Sequence, residues 1–271
     1  MRAYLASFQS RFQLMLQYRA AAIAGFGTQA WFGLVRVLIL AAFYRASTHA
    51  QPINLGQAID YVWLGQALLA LLPWVGDPDI TAGVRSGNIA YDRLRPIDTY
   101  FYWYVRAAGW MVARVLPRAA LMVALVGVLA PLVGLGFWGL KPPASVEAAL
   151  LFSVSLVLIV FLSSAVVNII NITVVAAMTD RGPALLASAI VTFFSGNIIP
   201  LPLMPAAWRE LMLFQPFAGL IDIPSRIYFG ALRGSEALIG LSAQVFWTIV
   251  LIALGRWAMG GAMSRLQAQG G

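Results

Sequence analysis

Charge is scarce in this chain, and one stretch holds a quarter of it. GDPDITAGVRSGNIAYDRLRPID, Gly76 to Asp98, carries Asp77, Asp79, Arg85, Asp92, Arg93, Arg95 and Asp98, seven of the 28 charged residues. Asp77 and Asp79 stand two apart, the spacing that first raises acid–base chemistry. Pro78 gives the pair a better explanation: Asp77 as an N-cap and proline in the first turn of a short helix. Gly83 and Gly87 limit the length of that helix. Pro96 forces Arg95 out of helical geometry and closes the loop. A short charged helix bounded in this way is either a docking element for a partner or a solvated loop that only sets topology.

The other reagents of covalent chemistry are missing. With no cysteine there is no disulfide, thiol nucleophile or zinc–thiolate site. His49 is the only histidine and cannot build a metal cluster alone; it sits among Ser47, Thr48 and Gln51 and reads as solvated. Lys141 is the only lysine, and Leu140-Lys141-Pro142 does not fit the G-x-x-x-x-G-K-[ST] loop that cradles nucleotide phosphates. Gly83 and Gly87 make no dinucleotide loop, and G-x-S-x-G elbows and H-E-x-x-H helices are missing. The expectation is a chain with no catalytic residue, no metal and no cofactor of its own.

A second set of polar residues lies inside apolar stretches, where charge costs at least a few kcal/mol. Arg36 is one. Arg114 and Arg118 share a helical face around Pro117. They either line a vestibule that attracts anionic or lipid headgroups, or snorkel to the interface, or pair with a carboxylate such as Asp60. Ser164, Asn168 and Asn171 form one polar stripe, which either joins helices by hydrogen bonds or lines a route. Ser195, Gly196 and Asn197 precede Pro200, Pro202 and Pro205, a helix break that is a hinge, a gate or simply a turn.

The elements that position these residues are apolar. Of 271 residues 61% are hydrophobic and only 10% charged, against about 25% charged in soluble domains. Polar side chains this few cannot cover such a core, which excludes a soluble enzyme and a disordered or nucleic-acid-binding chain. The net charge of +8 sits at the ends of apolar blocks, as topology determinants do. Six stretches reach the roughly 20 residues needed for a crossing: Ala20–Tyr44, Gln57–Gly76, Trp103–Ala130, Val146–Met178, Pro183–Leu203 and Ala237–Met259. No stretch has the build of a cleaved signal peptide. With both termini inside, ten basic residues fall on the inner side and five on the outer, the bias expected of cytoplasmic loops. Tyr4, Phe8, Phe12 and Met15 share a helical face, so residues 1–19 are expected as an interfacial helix with Arg2, Arg11 and Arg19 reaching lipid phosphates. Tyr100 to Tyr104 are expected as an aromatic belt at the surface. Residues 204–235 are apolar but broken by Pro216, Asp222, Pro224 and Arg226, and are expected as two short helices dipping into the outer leaflet and returning. A seventh crossing is the rival reading of that segment. The fold class expected is all-α and polytopic, one transmembrane domain over 1–271.

Val84 to Asp98 (VRSGNIAYDRLRPID) is similar to the hallmark loop of ABC transporter type 2 permeases, in particular the six-span branch of drug- and viologen-type exporters. Phe194–Pro205 (FSGNIIPLPLMP) and Pro216–Gly230 (PFAGLIDIPSRIYFG) also resemble that family and stand where it would require them. The resemblance implies an amphipathic cytoplasmic helix over Arg2–Tyr18, a coupling helix over Asp77–Arg95 and a re-entrant hairpin over Leu203–Ser235. It implies two permease subunits, identical or different, on a pair of P-loop ATPase subunits that hold ATP and magnesium. The ATPase contact would fall on Asp77, Asp79, Arg85, Gly87, Asp92, Arg93, Arg95 and Pro96. A pathway or gate would draw on Arg36, Arg114, Arg118, Asn168, Asn171, Ser195 and Asn197. The setting would be a bacterial cytoplasmic membrane, and the solute an amphipathic or lipid-like one. The rival from another class is a secondary transporter or channel-like protein working without an ATPase, which needs ionisable residues near the midplane.

Overall fold

The computed structural model describes residues 2–17, 19–94 and 96–265, and these are helical without any strand. In chain order the helices are α1 (Arg2–Leu16), α2 (Arg19–Ala46), α3 (Leu55–Leu68), α4 (Pro78–Ser86), α5 (Thr99–Leu132), α6 (Val146–Ala177), α7 (Arg181–Phe194), α8 (Ala206–Phe214), α9 (Asp222–Tyr228) and α10 (Gly234–Arg265). Polar residues start them where the sequence places caps. Asn54 and Gln57 cap α3 reciprocally, each side chain accepting the other's backbone N–H at 2.9 Å. Asp98 accepts from the Phe101 amide (2.9 Å) to start α5, and Ser145 from the Ala148 amide (3.0 Å) to start α6. Each such cap stabilises its helix by about 1 kcal/mol.

Among the described residues four helices are long and apolar enough to cross a membrane: Ala22–Ala46, α5, α6 and Gly234–Met263. They coincide with the first, third, fourth and sixth expected spans. With exposed Trp31, Ile39, Leu185, Ile249 and Trp257 on the outside, the chain is a helical, membrane-embedded protein. The other two expected spans are shorter than the sequence reading. Pro73 holds Leu72 extended (φ −69, ψ 126) after the 3-10 turn Leu69–Leu71, so α3 stops well before Gly76. α7 stops at Ser195, where Gly196 turns with φ +80, ahead of Pro200. The segment after it holds two short helices, α8 and α9, linked by a turn at Pro216–Gly219.

α6 and α10 run side by side, α2 pairs with α3, and α1 lies along the first half of α5. Gln244 of α10 ties three parts together. It accepts from Ser155 of α6 (3.0 Å) and donates to the Gly219 carbonyl (2.7 Å), fastening the α8–α9 turn to the bundle.

One sequence expectation changes here, and α1 gains a neighbour. The half-buried face of α1 lies along α5: a Cβ on Gly109 would stand 2.8 Å from the Phe8 carbonyl, so glycine permits the close approach. The aromatic run is core rather than belt. Tyr100, Tyr102, Trp103 and Tyr104 are buried against Ile80 and Val84 of α4 and Ile170 of α6, and only Phe101 is exposed. Apolar side chains suit lipid and protein equally, so composition did not tell the two apart.

Candidate functional site

Asp77 does what its position before proline implies. Its carboxylate accepts from the Asp79 amide (3.0 Å), and Pro78 occupies the first turn of α4. At the other end Gly87, at φ +76, terminates the helix in a left-handed turn that a side chain would strain. Ile80 and Val84 face inward, while Ala82, Arg85 and Ser86 are exposed. The result is a nine-residue amphipathic helix with defined ends.

The cap residue is also an anchor. Arg11 of α1 donates to Asp77 (2.7 Å) and to Asp79 (2.6 Å). Arg106 of α5 donates to Asp79 (2.8 Å) and stands 3.2 Å from the second Asp77 oxygen. The Asp77 amide donates to Asn171 of α6 at 2.7 Å. Asp77 is 1% exposed, Arg11 7% and Arg106 16%, whereas Asp79 opens to solvent at 56%. Three helices therefore hold the start of α4, α1 and α5 through a buried ion cluster and α6 through a hydrogen bond. Breaking such a cluster from one side costs about 3–5 kcal/mol, because a charge is left without its partner. At its far end Arg85 reaches the α6–α7 connection and pairs with Asp180 at 2.8 Å. That hydrogen bond holds the Asp180 carboxyl below the usual carboxylate range. Since Arg85 is mostly exposed and Asp180 about a third exposed, solvent screens the pair, and it orients α4 more than it stabilises the bundle.

Beyond Gly87 the chain runs through a 3-10 stretch, Asn88–Leu94, pinned where Trp103 Nε1 donates to the Asp92 carboxylate (2.9 Å). Of the expected contact residues, Asp77, Asp79, Arg85, Gly87 and Asp92 gather on or beside α4, and Pro96 leads out of the loop. Arg95 and the side chain of Arg93 lie outside the described residues.

The expected pathway residues separate into three places. Asn168 and Asn171 join the first group as fasteners: Asn168 donates to the Tyr100 carbonyl (3.0 Å) and Asn171 holds the α4 cap. Ser164 bonds back within α6 to Val160 (2.7 Å). Arg36, Ser195 and Asn197 meet toward the opposite end. Arg36 donates to the Asn197 carbonyl (2.6 Å) and side-chain oxygen (3.0 Å), Ser195 accepts from the Asn197 amide (3.3 Å), and the Gln66 amide is oriented to accept from Arg36 at 3.0 Å. This network clasps the turn after α7 to α2 and α3. Arg114 and Arg118 lie on a cavity wall between α1, α2 and α5 that Arg11, Pro78 and Asp79 of the α4 anchor also line. Asp60 is not their partner; it accepts from the Lys141 amide (3.0 Å) and stands 3.7 Å from its ammonium.

Sequence reasoning missed the ion pairs of Arg11, expected to reach lipid phosphates, and of Arg106, counted only among the inner basic residues, and it missed Asp180. Two aspartates at the start of a helix that docks on apolar neighbours require cations, and that was the signal available. It also missed a buried trio, Asp222 with Tyr61 and Arg226, each 3.4 Å from the carboxylate. Among the described residues no three His, Asp or Glu side chains gather to hold a metal. No protein-family model matches the chain, and no curated protein matches it.

Proposed function

We propose that the chain is the membrane permease subunit of an ATP-driven ABC exporter of the type 2 kind, worked by a separate P-loop ATPase pair and paired with a second permease subunit. The observation that carries this reading is α4: a short helix capped at both ends, bolted to α1, α5 and α6 through Asp77, and turned outward along Ala82, Arg85 and Ser86. A short helix bolted at its start, tied at its far end by Arg85 to Asp180 and exposed along one face suits a subunit that receives motion from a partner. In this reading α2, α3, α5, α6, α7 and α10 are six crossings. α3 with its 3-10 turn reaches about 27 Å, close to a hydrocarbon thickness of about 30 Å. The helices α8 and α9 are the outer hairpin, and the excess of inner arginines puts both termini in the cytoplasm of a bacterial cell.

The mechanism needs no covalent chemistry in this chain. Closure of the ATPases on ATP and magnesium displaces α4, and the Arg11–Asp77–Arg106 cluster passes the displacement to α1 and α5. Asn171 passes it to α6. The crossings tilt, and access to an amphipathic or lipid-like solute switches from the inner side to the outer. Reversing Arg93 and Arg95 to Glu tests the docking face: ATPase stimulation by the permease is lost while membrane insertion stays intact. Unchanged stimulation counts against the assignment.

The alternative, transport without an ATPase, has one observation in its favour, the fully buried Asp222 beside Tyr61. Its pairing with Arg226 on the same helix gives that carboxylate a structural use. Gradient-driven uptake abolished by Asp222→Asn in the reconstituted chain alone would favour the alternative.

A further inference from the structure

Arg36 carries a charge deep in the apolar band. The crossing part of α2, Ala22–Ala46, has 25 residues. At the helical rise Arg36 stands about 15 Å from one end of it and about 21 Å from the other, farther than a side chain reaches by snorkelling. The exposed residues on either side of it, Phe32 and Ile39, are apolar. A charged group at that depth faces the bundle interior or a watery route, and it marks the path of an ion or solute. Only one edge of the guanidinium is used by the protein. Nη1 lies within hydrogen-bond distance of three neutral acceptors: the Asn197 carbonyl (2.6 Å), the Asn197 side-chain oxygen (3.0 Å) and the Gln66 amide (3.0 Å). Gln66 is 1% exposed and is itself set by a bond to the Gln29 carbonyl (3.2 Å). Arg36 is half-buried, and its Nε and Nη2 reach the bundle surface with no acceptor among the described residues. The clamp therefore fixes the guanidinium and leaves open the edge whose paired donors take a carboxylate or phosphate through two bonds.

The chain has no carboxylate to put there. Of its ten acidic residues, Asp60 and Asp222 are buried and paired with Lys141 and Arg226. The others stand on α4 or α8, in loops, or in the first turn of a long helix. An identical second copy offers the same set, so the charge is met from outside the chain. The space enclosed between Arg36, Tyr61 and Asn197 is about 10 Å³, room for about one water. The anion therefore comes to the open edge from the outer face of α2. Phe32 and Ile39, one turn before and one turn after Arg36, share that face with it. A fixed cation between apolar side chains matches an amphiphile with an anionic head.

We propose that the open edge of Arg36 binds the anionic group of an amphiphile, a carboxylate or a phosphate, whose chain lies along Phe32 and Ile39. In the exporter reading this contact makes the transported solute an anion; that use rests on the proposed function, and the binding itself does not. The full chain in phosphatidylcholine nanodiscs is titrated with radiolabelled dodecanoate and with dodecanamide at about pH 9, where the carboxylate is ionised and the guanidinium still charged. Dodecanoate should bind roughly tenfold more tightly, the worth of a charge-assisted hydrogen bond. Arg36→Gln should remove that preference and leave the affinity for the amide as it was. Phe32→Glu keeps Arg36 and its clamp and sets a carboxylate one turn before it, where it fills the open edge. It should abolish the preference as well, and it serves if Arg36→Gln fails to fold. Equal affinity of the natural chain for the two probes overturns the proposal, as does a preference that survives in folded Arg36→Gln or in Phe32→Glu. Acetate at the concentration of dodecanoate should not displace it; if acetate does, the site takes a small anion and the amphiphile assignment fails. The assay contains no ATPase, so a negative result strikes this site and leaves the exporter assignment standing.

Discussion

Asp77→Asn separates the two jobs of the residue that starts α4. Asparagine caps a helix as well as aspartate does, so the bond to the Asp79 amide survives. The negative charge between Arg11 and Arg106, at 2.7 and 3.2 Å, does not. Arg11 is 7% exposed and would keep only Asp79, which is solvated. A buried charge deprived of its partner costs about 3–5 kcal/mol, and the remaining Asp79 contact keeps the expected loss near the lower end, about 3 kcal/mol. That corresponds to a roughly 100-fold rise in local opening, read as faster amide hydrogen exchange in Ile80 to Ser86 and the facing part of α1. Arg11→Met alone should cost a similar amount. The double variant Arg11→Met/Asp77→Asn should fall short of the sum by about 2 kcal/mol, since removing both charges leaves neither stranded. The chain has no cysteine, so a Ser86→Cys label gives a second readout of the same opening. Additivity of the two single variants within about 0.5 kcal/mol, or exchange unchanged in α4, would refute the coupling.

Gly109→Leu should force α1 off α5, because even a Cβ meets the Phe8 carbonyl at 2.8 Å; the expected cost is about 1–3 kcal/mol, seen as new protease sensitivity near Arg11 with α6 and α10 unaffected. Gly196→Ala should be worse than a surface change by more than 1 kcal/mol or so, since the residue has φ +80 and its Cβ would overlap the Tyr61 hydroxyl; thermal melting in detergent checks it. The Arg85–Asp180 pair should survive mild acid. Asp180 titrates below the ordinary carboxylate value, so its pairing is complete above about pH 4 and is lost only as pH falls through the lower folded value. Spin labels on α4 and α7 should report a constant distance from neutral pH to about 5.

The parts legible in the sequence were those set by local chemistry. Asp77-Pro78 and Gly87 marked the ends of α4, and the prolines between 200 and 224 marked a segment of short helices. What was not legible depended on distant partners. Nothing near Arg11 in sequence shows that it meets Asp77, and nothing near Arg36 shows Asn197. Hydrophobic periodicity separates a buried face from a wet one, but here the outer face is also apolar. For that reason the aromatic run after Asp98 was assigned to the membrane surface when it packs inside. The lengths of α3 and α7 failed for a simpler reason: Pro73 and Gly196 stop helices inside apolar runs that hydropathy alone carries onward.

A photo-reactive side chain at Ser86, on the exposed face of α4, tests the central claim most directly when the chain is expressed in its own cell. The account predicts one dominant adduct, a P-loop ATPase identified by mass spectrometry, whose yield falls when Arg93 and Arg95 are reversed to Glu. Adducts to lipid alone, or to proteins without a nucleotide-binding loop, would contradict it.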